Sequence, residues 1–162
     1  MSEKELLSYI DEYFTYHKDG YFLLKKLQNH NSKGIGQKAG CLKKGYWRIS
    51  IKGKQYAAHR LIWLYHNKSY PKFVIDHING DSTDNRIENL RDVTQKTNLQ
   101  NLTKSKSNNK LGSLGVRVRG NKYLTGICIG GKSKHLGTFD TLELAELVYQ
   151  EAKRKYHSGY TL

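Results

Sequence analysis

An aspartate and a histidine stand side by side at Asp76 and His77. Asparagines crowd the residues that follow, at Asn79, Asn85, Asn89, Asn98 and Asn101, with Asp81 and Asp84 among them. Acidic side chains in a chain this basic call for a reason. Hydrolysing a phosphodiester needs an activated water, relief of the charge that builds at phosphorus, and stabilisation of the departing oxygen. A neutral imidazole takes a proton from water near neutral pH. A hard divalent cation held by oxygen ligands answers the other two needs. His77 offers the base, and an Asp carboxylate with Asn carbonyls offers the oxygens. Asp81, Asp84 and Asn85 read instead as loop-formers that bond their own backbone. Asn79-Gly80-Asp81 superficially looks like a calcium loop, but the closing Glu and the two long flanking helices of an EF-hand are missing.

These residues need a scaffold. The segment FVID is β-branched and reads as a strand leading into the polar loop HINGDSTDN. Before it, HRLIWLYHN places Leu61, Ile62, Leu64 and Tyr65 on one side of a short helix ending ahead of Pro71, with Trp63 in the core and His66 at the surface. A helix capped by Thr94 is expected through QKTNLQNL. Upstream, Leu6, Leu7, Ile10, Tyr13 and Phe14 recur at helical spacing, Lys18-Asp19-Gly20 reads as a turn, and GYWRISIKGKQYAA alternates around Lys52-Gly53 as a hairpin. The run TKSKSNNK has no apolar residue and reads as a linker. Beyond it come two or three strands among GVRVR, KYLTGICI and KSKHLGTF. A final helix, TLELAELVYQEAKRKYH, counts Leu144, Leu147, Val148 and Tyr149 among its apolar positions and Asp140 or Thr141 as its cap. The fold class expected is α+β, as two small units.

The stretch IDHINGDSTDNRIENLRDVTQKTNLQN, preceded by AAHRLIW and a proline, closely resembles HNH endonucleases of the homing type found in phages and introns. His77 precedes Asn89 by 12 positions and Asn98 by 21, which fits that motif. The resemblance implies a ββα-metal core at about 73–102 within an HNH region spanning 1–102, the linker 103–110, and a second domain at 111–162. It implies His77 as general base, Asp76 and Asn98 as metal ligands, and Asn89 as a structural residue that orients the loop. The third motif letter is Asn where His often stands, so an all-oxygen ligand pair favours Mg²⁺ or Mn²⁺ over zinc. His59 and Arg60, a pair that recurs in the family, are expected to support the site or to contact phosphate; the sequence leaves both open. Products with 5′-phosphate and 3′-hydroxyl ends follow from the same resemblance.

The C-terminal segment GVRVRGNKYLTGICIGGKSKHLGTFDTLELAELVYQEA resembles the Apetala-2 (ethylene-response-factor) DNA-binding domain of plants, a three-stranded antiparallel sheet on one helix. It departs from that pattern where Tyr123 and His135 stand for tryptophans, where Gly126-Ile127-Cys128 replaces an acidic-apolar-arginine triplet, and in a shorter first turn. The resemblance implies groove binding by Arg117, Arg119, Lys122 and Tyr123. Arg117 and Arg119 stand two apart in a strand and so share a face, where a guanidinium can reach guanine or clamp a phosphate.

The whole composition agrees with a polyanionic partner. The chain has 162 residues, a formal charge of +14 and 26% charged residues, and the positive excess is shared by both halves rather than gathered in a tail. The two resemblances together imply double-stranded DNA as that partner; no protein partner can be inferred. No membrane span is expected, because no apolar run is long enough, and no secretory signal is read at the acidic N-terminus. Cys41 and Cys128 lie far apart without a C-x-x-C partner, so a reducing cytoplasm is the default. The sequence leaves open a nick or a double-strand cut. The alternative is a DNA-binding regulator with an inactive HNH motif; an RNA-binding protein is a third reading, against which stands the lack of stacking aromatics on one sheet.

Overall fold

The computed structural model describes residues 1–26, 34–102, 105 and 109–161. The chain divides into two units, Met1–Thr94 and Gln95–Leu162.

The first unit opens with helix α1, Glu3–Tyr13. Ser2 and Glu5 form a reciprocal capping box, Ser2 Oγ accepting from the Glu5 amide while the Glu5 carboxylate accepts from the Ser2 amide. This satisfies two of the amides that any helix start leaves bare. The helix buries Leu6, Tyr9 and Ile10. Phe14, expected on the helix, instead begins strand β1 (Phe14–His17), which turns through residues 18–20 into β2 (Tyr21–Leu24). A three-stranded antiparallel sheet follows, in the order β3 (Cys41–Lys43), β4 (Tyr46–Ile51), β5 (Lys54–Ala57). The β4–β5 turn has φ of 48° at Lys52 and 78° at Gly53, the mirror-image turn whose twist suits a hairpin. Sequence reasoning had not foreseen β3, a three-residue strand exposed throughout.

Helix α2, Ala58–Asn67, ends in a left-handed residue at Lys68 (φ 59°). Leu61, Ile62 and Leu64 are wholly buried and join α1, Phe14, Phe22, Ile49 and Ile51 in one apolar core. Each such side chain contributes about 1.5–3 kcal/mol through burial. Trp63 is half-buried against that core and His66 is exposed. Strand β6 (Val74–His77) pairs antiparallel with β7 (Leu90–Val93), joined by the polar loop and a 3-10 turn at Ile87–Asn89. The Asp92 carboxylate on β7 accepts from the Lys72 and Phe73 amides at 2.7 and 2.9 Å, fixing where β6 begins.

The second unit begins with helix α3, Gln95–Gln100. Gln100 Oε1 accepts from the Gly159 amide, Asn101 Oδ1 from the Thr161 hydroxyl, and the Leu102 carbonyl from Lys153 Nζ. These bonds place α3 with the C-terminal residues, whereas the sequence, judging only by the polarity of 103–110, put the division there. Most of that linker lies outside the described residues.

Strands β8 (Val116–Arg119), β9 (Lys122–Ile129) and β10 (Lys132–Phe139) form an antiparallel sheet with β9 central, carrying helix α4 (Leu142–Tyr156) on one face. Thr141 caps α4, its hydroxyl accepting from the Leu144 amide. The helix buries Ala145 and Ala152, and the Thr125 hydroxyl donates to the Ala145 carbonyl. Small residues let α4 lie close to the sheet, so Leu144 and Leu147, expected among its apolar positions, stand 46% and 55% exposed. Among the described residues no helix is long and apolar enough to cross a membrane. Cys41 and Cys128 are exposed free thiols.

Candidate active site

Asp76 and His77 close β6 and are almost fully buried, at 6% and 7% exposure. Asp76 lies opposite Arg91 in the β6–β7 register. Arg91 donates from Nε at 2.9 Å and from Nη2 at 2.7 Å, and both bonds end on Oδ2 of Asp76.

The loop after His77 is tied by Asn89. Its Oδ1 accepts from the Asn79 amide at 2.9 Å, and its Nδ2 donates to Asn79 Oδ1 at 2.9 Å and to the Asp84 carbonyl at 2.8 Å. The Ile78 amide also donates to the Asn89 carbonyl. Other polar groups complete the knot. Asp81 Oδ1 accepts from the Thr83 amide and hydroxyl. Asp84 receives both guanidinium bonds of Arg86 and one from Asn79 Nδ2. Hydrogen bonds from Arg86, foremost, hold the Asp84 carboxyl down at about 2. Asp81 and Asp84 are thus engaged in the loop itself, as their residue types suggest. Ser82 Oγ donates to the Gly45 carbonyl, linking the loop to the β3–β4 turn.

Asn85 has a different place from the one its sequence neighbours suggest. It is 2% exposed, and its Oδ1 lies 3.0 Å from His77 Nε2. Against the imidazole also stands His59, from the first turn of α2. The two rings meet nearly at right angles (81°) with centroids 5.4 Å apart. Tyr46 of β4 lies 5.8 Å from the His59 ring and 6.3 Å from the His77 ring. Burial, then the charges of His77, Arg60 and Arg48, push His59 down to about 4, so it stays neutral at pH 7. Arg60 points its guanidinium over the Tyr70 ring at 5.6 Å.

The first unit therefore brings together Asp76, His77, Asn89 and His59. Asn98 sits on α3 and belongs to the second unit. Sequence reasoning missed Tyr46, Arg91 and the tie between Asn85 and His77. For Arg91 the signal was its hairpin register opposite Asp76; Tyr46 and Asn85 left none.

Among the described residues no three His, Cys, Asp or Glu side chains converge on a metal-sized site. A closed thiolate or imidazole centre of the structural-zinc kind is thus not built there. A hard cation that keeps most of its waters needs less: one or two carboxylate or amide oxygens and a phosphate oxygen suffice. The buried Asp76 carboxylate, at the end of β6, fits that kind of ion.

In the second unit, Arg117 and Arg119 are exposed and alternate with the buried Val116, so they lie on the sheet face away from α4. Lys122 is the cross-strand partner of Arg119 and its ammonium is paired with Asp140. Tyr123 does not belong with them. Strand alternation turns it to the side of Thr125 and Ile127, which face α4, and it is half-buried there. Adjacency in sequence suggested one cluster; a period of two separates it.

No solved structure matches the chain. The DNA endonuclease I-HmuI of Bacillus phage SP01 is 41% identical over 64 residues, which cover 36% of this chain and 37% of that relative. The chain thus matches little more than a third of that relative's length. Residues 56–100, which hold Asp76, His77, Asn89 and Asn98 as well as His59 and Arg60, match the family of HNH endonucleases.

Proposed function

We propose that this protein is a divalent-metal-dependent DNA endonuclease of the homing type, its HNH residues cutting and its C-terminal sheet holding duplex DNA. The observation that carries this reading is the burial of Asp76 and His77 at the end of β6, ahead of a loop tied by Asn89, inside the segment matched to HNH endonucleases.

Asp76, with Asn98 as second ligand in a ββα-metal arrangement, would hold one Mg²⁺ or Mn²⁺ ion. When bound, that ion supplies charge relief at the scissile phosphate and the departing 3′ oxygen. The chain's own residues do the rest. His77 takes the proton from the attacking water as the new oxygen–phosphorus bond forms. The 3′ oxygen leaves with the electrons of the broken bond and is protonated from solvent, giving 5′-phosphate and 3′-hydroxyl ends. Asn89 holds the loop so that His77 keeps its aim, and neutral His59 packs against its ring without adding a competing charge. On the second unit, Arg117, Arg119 and Lys122 present cations to the DNA in the manner of an Apetala-2 sheet, and site preference follows from that face.

A supercoiled-plasmid assay tests the reading. Nicked or linear product is expected with Mg²⁺ or Mn²⁺ and none with EDTA. His77→Ala is expected to bind DNA as the parent does while cleaving at least about 100-fold more slowly. DNA binding by the parent protein without cleavage under either ion would instead make it a DNA-binding regulator.

A further inference from the structure

We infer that Asn85 is a positioning residue that holds the His77 imidazole as its Nε2–H tautomer, so that Nδ1 is the atom that accepts the proton from water. The inference rests on the proposed role of His77 as base and names what aims it.

The argument starts from burial. Asn85 is 2% exposed in a loop whose other side chains mostly face solvent. A buried primary amide is costly unless both of its ends find partners. Its Nδ2 donates to the Thr83 carbonyl at 3.5 Å, and its Oδ1 lies 3.0 Å from His77 Nε2. A carbonyl oxygen can only accept, so the amide cannot be turned about without setting two oxygens against each other. With Oδ1 facing the ring, Nε2 must be the donor. A neutral imidazole has a single N–H, and placing it on Nε2 puts the lone pair on Nδ1.

Asn85 and the ring it faces are held from three directions. Asp84 and Arg86, its neighbours in the chain, are locked to each other by paired guanidinium bonds. Behind it lies the β1–β2 turn at Gly20, where φ is +80°. A Cβ on Gly20 would sit 2.4 Å from the Asn85 carbonyl carbon and 2.2 Å from the Arg86 amide. Only glycine lets this turn press so close. His59, at right angles to the imidazole, stops the ring from swinging away. The residue that orients the base is thus four positions before Asn89, which ties the loop.

Long-range ¹H–¹⁵N spectra of the full chain labelled at histidine decide the matter, with His77 assigned by its loss in His77→Gln. The Nε2–H tautomer is expected for His77 in the parent protein and in Asn85→Asp, which keeps an acceptor at the same reach. Asn85→Leu, with no acceptor, is expected to show mixed tautomers and a kcat for plasmid nicking lowered roughly 10- to 100-fold with KM little changed. An Nδ1–H tautomer in the parent overturns the inference without any variant, as does an unchanged tautomer in Asn85→Leu. If the parent cleaves no DNA while its tautomer depends on residue 85 as described, the nuclease reading fails and the positioning stands.

Discussion

Arg91 and Asp76 face each other across the β6–β7 hairpin, and both guanidinium bonds converge on a single carboxylate oxygen, Oδ2. The pair is largely out of water, with side-chain exposures of 22% for Arg91 and 7% for Asp76. Removing one partner from such a pair costs far more than the pair contributes, because the remaining charge keeps its desolvation penalty. Arg91→Ala is therefore expected to lose about 2–4 kcal/mol of stability in urea unfolding. Mn²⁺ is expected to raise the melting temperature of Arg91→Ala more than that of the parent, since a bound cation compensates the same carboxylate. Equal shifts would separate Asp76 from the metal.

Asn89 makes three side-chain bonds that close the loop on itself. Asn89→Leu strands the Asn79 amide and the Asp84 carbonyl in partly buried positions. Each lost partner costs about 1 kcal/mol or more, so a loss of roughly 2–3 kcal/mol is expected. Nicking should fall much further than DNA binding, because the cations of the second unit are untouched. A parallel loss of both would show that Asn89 serves folding alone.

Much of this site could be read in the sequence because its members act from fixed offsets along one segment. Asp76 next to His77, with Asn89 twelve positions on, is legible in the sequence; Asn98, at its own spacing, sits on α3 in the second unit. What stayed hidden depends on pairings between segments. Arg91 meets Asp76 only once the hairpin register is known, and Tyr46 reaches His77 from a separate sheet. In sequence Asn85 reads as one more loop-former, since its residue type does not tell whether an amide turns outward or inward. The strands and helices of the second unit were legible from alternation and capping. The sides they present were less so: Tyr123 lies opposite Lys122's face, and close packing by Ala145 and Ala152 left Leu144 and Leu147 outside.

That division of faces has a measurable consequence for DNA binding. Arg117→Gln with Arg119→Gln is expected to weaken binding and to flatten its salt dependence by about 0.9 in log–log slope for each phosphate contact removed. Tyr123→Leu, altering a half-buried ring on the α4 side, is expected to lower the melting temperature while leaving that slope unchanged. Equal effects of Tyr123 and the arginines on the slope would place the DNA on another surface.

His59 gives the first unit a pH dependence whose sign follows from its environment. Burial, reinforced by the nearby charges of His77, Arg60 and Arg48, holds it down to about 4 from an ordinary 6.5. Between those values the unfolded chain binds the proton and the folded chain does not, so stability increases with pH. The full contribution is present above about pH 6.5 and is lost as pH falls toward 4. Its size is about 3 kcal/mol at most. Asp84, depressed to about 2 chiefly by Arg86, acts in a lower window: its contribution is complete above about pH 3.8 and disappears toward pH 2. Urea unfolding at pH 7.0, 5.5 and 4.5 therefore leaves Asp84 out and reads His59 together with His66, which burial also holds down. His59→Phe, which keeps a ring against His77 but cannot take a proton, is expected to flatten the curve across that range. A slope as steep in His59→Phe as in the parent would assign the acid sensitivity to another group.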